Sequence, residues 1–184
     1  GLYRTKHDFE KPKPGKARMV TGVVFLGMTL FVVNGYRTDS YPGGAEGFFP
    51  PLAYGVHDVD DEGREMGPAR LGWYDNYPEA FEAALEKDRV LFLDFTGITC
   101  VNCLRMEGNI FPVESVRSRL EQVERAHLWV DKAPHGAFNK ELQFREFNSQ
   151  QQPQYVLIDP RDNVVLGIFN GYKPDPQLFA DFLQ

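Results

Sequence analysis

The sequence predicts an α/β domain, a central mixed sheet flanked by helices, preceded by one transmembrane helix and a linker. Three observations carry that expectation. Beyond residue 70, short apolar runs of strand length alternate with stretches of helical period. The chain's two cysteines, Cys100 and Cys103, form a C-x-x-C that follows the strand-like run Val90 to Phe95. Residues 19–36 are uncharged and mostly apolar, close to the N-terminus.

Taken in order, residues 1–18 are a basic flank. Arg4, Lys6, Lys11, Lys13, Lys16 and Arg18 stand against Asp8 and Glu10, a net charge of +4. Residues 19–36 sit at the short end of what spans a bilayer. Residues 37–68 hold Arg37 and Arg64 against seven acids, a net of −5. Lys and Arg mark the cytoplasmic side, which predicts the N-terminus inside and everything after Tyr36 outside. A cleaved signal peptide is one rival, but it wants a shorter apolar core and a small-residue cleavage site, and Asn34-Gly35-Tyr36 is poor for that. A buried soluble helix is another, and would want a polar face that this stretch lacks. Residues 37–70, rich in Gly, Pro and acids, read as a linker. Within it, Phe48-Phe49-Pro50-Pro51-Leu52 could pack on a membrane surface or on the domain.

The domain is expected over residues 71–184. Leu71 to Tyr74 reads as a short first strand, and residues 77–87 as a helix with Phe81, Ala84 and Leu85 on one face. Residues 90–96 are almost continuously apolar, as in a strand buried on both faces. A helix should run from Val101 until Pro112 interrupts it, with Val113, Val116 and Leu120 continuing its apolar face. Residues 126–130 read as a strand, and 139–147 as a helix with Leu142, Phe144 and Phe147 inward. Strands at 154–158 and 164–169 are joined by the turn Asp159-Pro160-Arg161-Asp162-Asn163, and a helix over 175–183 closes the chain. The order β-α-β-α-β-α-β-β-α is that of a thioredoxin fold with an N-terminal extension.

Composition narrows the function. Hydrophobic residues at 42% and aromatics at 14% suffice for a packed core. A net charge of −6 argues against a nucleic-acid partner, and two cysteines exclude a disulfide-rich scaffold. A C-x-x-C between a buried strand and a helix reads as a thiol–disulfide exchange motif. One sulfur attacks a partner disulfide as a thiolate, and the other lies close enough to resolve the mixed disulfide. A helix N-terminus favours that thiolate through its dipole and free N–H groups. A zinc site would need two histidines as further ligands, and His127 and His135, eight apart, fall outside the usual spacing. A purely structural disulfide across two residues would close almost no loop and stabilise little. No metal and no cofactor beyond the redox-active pair is therefore expected.

Three further features surround the cysteines. Asp94 lies in the middle of an apolar strand, where a carboxylate is costly unless paired or protonated. Its pKa should be raised by desolvation, which suits a proton shuttle to the resolving sulfur. Glu107, four residues after Cys103, falls one helical turn along the same face. Gln152-Pro153 precedes a strand, at the place where a thioredoxin-like fold sets a cis-proline against the C-x-x-C. With Val101 and Asn102, these residues make the expected substrate groove.

The string LFLDFTGITCVNCLRME, followed by QPQYVLIDP and a hydrophobic C-terminal helix, resembles the DsbD family of bacterial thiol:disulfide interchange proteins. The likeness is to that family's C-terminal periplasmic domain and covers residues 71–184. The upstream apolar stretch looks like the last transmembrane helix before it. The resemblance implies an inner-membrane protein with its domain in the periplasm, acting as a protein-disulfide reductase. It makes Cys100 the nucleophile, Cys103 the resolving thiol, and Asp94 and Glu107 the tuning acids. Its implied partners are a membrane electron relay on one side, and disulfide isomerases and cytochrome c maturation factors on the other. The domain itself is expected to be monomeric. The chain departs from the family in its long acidic linker and in Leu104, where Lys or Arg is common. Two rival functions stay open: a stand-alone anchored thioredoxin-like protein for cytochrome c maturation, and a thioredoxin-like binding module without turnover.

Overall fold

The computed structural model describes residues 15–38 and 59–184, which fall in two separate units. The apolar motif at residues 48–52 and most of the basic flank lie outside the described residues.

The described residues of the first unit form one helix, α1 (Lys16–Thr38), of 23 residues. Its part Lys16–Gly35 is long and apolar enough to cross a membrane. At 1.5 Å per residue the whole helix is about 35 Å long, against roughly 30 Å of hydrocarbon in a bilayer. Apolar side chains such as Val23, Phe25 and Met28 are exposed along it. Two threonine hydroxyls within it donate back to carbonyls one turn earlier, Thr21 to Ala17 and Thr29 to Phe25, each at 2.9 Å. Those bonds leave neither hydroxyl in need of water.

In the second unit the order is β1 (Glu65–Met66), β2 (Gly72–Trp73), α2 (Tyr77–Glu86), β3 (Leu91–Thr96), α3 (Val101–Asn109), α4 (Glu114–Leu120), β4 (Glu124–Trp129), α5 (Gly136–Phe147), β5 (Gln154–Asp159), β6 (Val164–Asn170) and α6 (Pro176–Phe182). A four-stranded mixed sheet runs β4-β3-β5-β6, with β3 and β4 parallel and the other pairs antiparallel. Tyr74, just after β2, bridges to Ala126 on the outer edge of β4, so the short first strand extends the sheet.

Strand alternation sends the side chains of β3 to two cores. Phe92 joins Trp73, Met106, Phe111, Tyr155 and Phe179 on the α3, α4 and α6 side. Leu91, Leu93 and Phe95 pack on the other side with Ala80 and Ala84 of α2. Every residue of β3 is buried, as its apolar run requires.

Helix boundaries follow local chemistry. Asn76 caps α2 by accepting from the Glu79 N–H at 3.0 Å, and Asp175 caps α6 by accepting from Gln177 at 2.9 Å. The expected break at Pro112 separates α3 from α4. Phe144 and Leu85, expected inward, are about half exposed; α5 instead buries Gly136, Asn139 and Gln143.

The linker expected over 37–70 gives way to folded structure by Val59. The Asp60 carboxylate accepts from the backbone N–H groups of Glu62 and Arg64 and from Arg64 Nε, at 3.0, 2.9 and 2.7 Å. Arg64 Nη1 then reaches the buried Glu124 at 3.1 Å, and β1 pairs with β2. Charge and hydrogen bonds hold this segment, so it shows no apolar period in the sequence.

Candidate redox site

Cys100 and Cys103 are joined by a disulfide at the start of α3. β3 ends at Thr96, and residues 97–99 turn the chain into the helix. That turn is pinned from β4's far end: the Ile98 N–H donates to both carboxylate oxygens of Asp131, 3.0 Å each. The Cys100 N–H donates to Gly97 O at 3.0 Å. Cys100 is the N-cap of α3, and its Sγ accepts from the Cys103 N–H at 3.2 Å. That N–H is one of the free donors of a helix N-terminus, aimed where a Cys100 thiolate would carry its charge. Cys100 is half-buried while Cys103 is 1% exposed, so only the first sulfur is open to a partner. Val101 and Asn102 between them are exposed.

Asp94, Glu107 and one residue that sequence reasoning weighed only as a zinc ligand, His127, are brought together. In the parallel β3–β4 register Asp94 lies opposite His127. Glu107 descends from α3, one turn after Cys103. His127 Nε2 is 3.3 Å from Glu107 Oε1 and 3.9 Å from Asp94 Oδ2. The buried Thr96 hydroxyl donates to the same Glu107 oxygen at 3.3 Å. Asp94 is wholly buried, and neither of its oxygens has a hydrogen-bond partner among the described residues.

Burial pushes the Asp94 carboxyl up to about 8; the His127 charge pulls it down and the Glu107 charge pushes it up further. Burial works against a charged imidazole at His127, but its bond to Glu107 and the charges of Glu107 and Asp94 outweigh that, leaving it above its ordinary value. Burial and the same two acids raise the Tyr155 hydroxyl, which faces Asp94 across the β3–β5 register. Among the described residues this trio alone sets three potential metal donors within 4.8 Å of one another. Within it the His127 Nε2 lies within hydrogen-bond reach of Glu107 Oε1, a geometry in which the trio can share protons.

Gln152 and Pro153 enter β5, joined by a cis peptide bond. The β3–β5 register pairs Phe95 with Gln154, which sets Pro153 at the level of Thr96, where β3 leaves for the cysteines. The Gln152 amide donates to Gln150 O at 2.9 Å and to Gln143 Oε1 at 3.4 Å.

Sequence reasoning missed the role of Asp131 and the partnership of His127. One signal was present for His127: it is flanked by Ala126 and Leu128 in a strand, so it must face the opposite side from those two. Which side holds Asp94 depends on pairing that the local sequence does not carry.

Residues 72–160 match the model of a family described as thioredoxin-like. No curated protein matches the chain. Among solved structures, a thioredoxin from Thermus thermophilus is 26% identical, with a TM-score of 0.50 over 61% of this chain and 84% of its own. A DsbH oxidoreductase is 21% identical, with a TM-score of 0.48 over 65% of this chain and 83% of its own. The oxidised C-terminal domain of DsbD from Neisseria meningitidis is 16% identical, with a TM-score of 0.46 over 59% of this chain and 94% of its own. The second unit of this chain thus has a thioredoxin-like fold, with a C-x-x-C disulfide at the head of its α3 helix.

Proposed function

We propose that this protein is a membrane-tethered protein-disulfide reductase of the bacterial periplasm. It takes electrons from a membrane relay and passes them to disulfide-containing proteins outside the inner membrane. The asymmetric pair at the head of α3 carries the reading: Cys100 is open to a partner and Cys103 is enclosed. The long apolar helix and the D-F-T-G-x-x-C-V-N-C-x-x-M-E string support the finer assignment.

The chemistry balances within the two proteins. The reduced Cys100 thiolate attacks one sulfur of the partner disulfide, forming a mixed disulfide and releasing the other sulfur as a thiolate. Cys103 then gives its proton to the carboxylate network headed by Asp94 and attacks Cys100 Sγ. The Cys100–Cys103 bond forms, the mixed disulfide breaks, and the partner leaves with two thiols and two electrons. Asp94 and Glu107 are the proton-handling acids, and Gln152, Pro153, Val101 and Asn102 line the partner's groove.

The test is the full chain in detergent, reduced and freed of reductant, mixed with a disulfide-bonded protein. Two partner thiols should appear for each Cys100–Cys103 disulfide formed. Absence of partner thiols over hours would reject a reductase and favour a binding module. A stand-alone anchored protein for cytochrome c maturation would share the apolar helix α1. It is distinguished by whether cysteine-bearing membrane spans belong to the same gene product.

A further inference from the structure

The mechanism leaves His127 without a task, although among the described residues it is the one basic group in contact with Asp94 and Glu107. It comes from β4 and stands between Asp94 of β3 and Glu107 of α3, 3.9 and 3.3 Å from their oxygens. The remaining groups that face the trio are few. β5 presents the Tyr155 hydroxyl, buried without a hydrogen-bond partner among the described residues, and α3 also carries Cys103. Lys132, beyond β4, opposes a charge on His127, and α6 contributes only apolar side chains to this side, Phe179, Ala180 and Phe182.

Charge counting shows what the imidazole changes. With an imidazolium present, protonated Asp94 and ionised Glu107 leave the trio neutral, and losing the Asp94 proton leaves one net negative charge. Without it, the same loss leaves two negative charges on acids whose oxygens lie within 4.8 Å of each other, Asp94 buried and Glu107 largely so. Like charges that close in a low-dielectric site strongly disfavour the second ionisation.

We propose that His127 is a positioning residue for disulfide reduction: as an imidazolium shared by Glu107 and Asp94, it sets the pH at which Asp94 can accept the Cys103 proton. The inference rests on the reductase reading and deepens it. His127 does not touch the partner. It acts through the acid that does the proton transfer, by lowering the cost of its ionised form.

The experiment compares the full-length wild type with His127→Gln and His127→Leu. Gln keeps a hydrogen bond to Glu107 without charge, and Leu keeps neither. Carboxyl-carbon NMR of the oxidised proteins follows Asp94 ionisation, and single-turnover reduction of a disulfide-bonded peptide is measured from pH 5.5 to 9.5. In both variants the Asp94 midpoint should rise by at least one pH unit. The rate profile should move with it, a roughly tenfold loss of rate on its rising limb. Three outcomes overturn the proposal: unchanged midpoints in both variants, a Gln variant that retains the wild-type midpoint, or stoichiometric zinc uptake by the oxidised wild type that His127→Gln abolishes. A wild type that reduces no disulfide at any pH removes the reductase reading instead. The carboxyl titration needs no turnover, so it still decides whether His127 governs Asp94.

Discussion

Burial holds the Asp94 proton up to about pH 8, whereas in the unfolded chain the same carboxyl ionises near 3.8. Between those values the folded protein keeps a proton that the unfolded chain has lost, so stability falls as pH rises from about 4 through about 8. His127, also raised, contributes with the same sign. Asp94→Asn removes the Asp94 share. It should be more stable than the wild type at pH 8 by on the order of 1–3 kcal/mol, with the gap closing at pH 4. Urea unfolding at the two pH values measures this; a wild type more stable than the variant at pH 8 would contradict it. The same variant should resolve mixed disulfides slowly, since it cannot take a proton. Unequal exposure makes a second prediction. Cys103→Ser should trap disulfide-linked partners on Cys100, visible on non-reducing gels, while Cys100→Ser should trap few. The reverse yield would exchange the two roles.

The redox balance also rests on single residues. Val101 and Asn102 bring no cation to the thiolate. On the sequence, Asp94 and Glu107 both count as negative charges that disfavour it. Enclosure changes that sum, because Asp94 is largely neutral at pH 7. The N–H of Cys103 gives the usual helix-end stabilisation, worth about 0.3–1 kcal/mol. No strong stabilisation of the reduced form is left, so the couple should lie nearer thioredoxin's ~−270 mV than the ~−120 mV of a strong oxidant. A glutathione titration reads it directly, and a potential above about −150 mV would make the domain an oxidant.

At the scale of elements, one buried acid ties three segments together. Glu124, 1% exposed at the start of β4, accepts from Arg64 at 3.1 Å, Arg89 at 3.2 Å and Lys87 at 3.5 Å. Arg64 belongs to the segment before β1, and Lys87 and Arg89 to the turn after α2. Beside it, the buried Arg125 donates to the carbonyls of Gly72, Leu120 and Val123, joining β2 and the end of α4 to β4. Glu124→Gln leaves the three cations facing a neutral amide. Because they are partly exposed, the cost is set at about 1–3 kcal/mol, below that of a fully buried pair. The variant should also release residues 59–66, seen as faster amide exchange at Arg64 and Met66. Equal stability and equal exchange would show that β1 is held by its pairing with β2 alone. The helices and strands were legible because each follows a local rule: Phe81 and Ala84 recur at helical spacing in α2, Pro112 stops α3, and an apolar run makes β3. The fold of residues 59–66 was not, since Asp60, Arg64 and Glu124 are far apart in sequence and meet only when β4 is in place.

For the whole molecule, the expectation concerns sidedness. The basic flank ahead of α1 and the acidic segment behind it predict the domain on the outer face of the inner membrane. An alkaline phosphatase fusion at Gly44 should be active, and a fusion active only as a cytoplasmic reporter would reverse the topology.

By itself, the sequence determined the thioredoxin-like order of elements, the C-x-x-C at a helix head, the buried acid in the central strand, and a helix apolar enough for a bilayer. Each depends on residues within a turn or two of one another, where periodicity, caps and motif spacing act. The tertiary structure alone decided that His127 faces Asp94, that Glu107 reaches both, that Asp131 pins the loop before Cys100, and that the domain begins by Val59. These are contacts between elements, and a one-residue change in the β3–β4 register would send His127 to the opposite core.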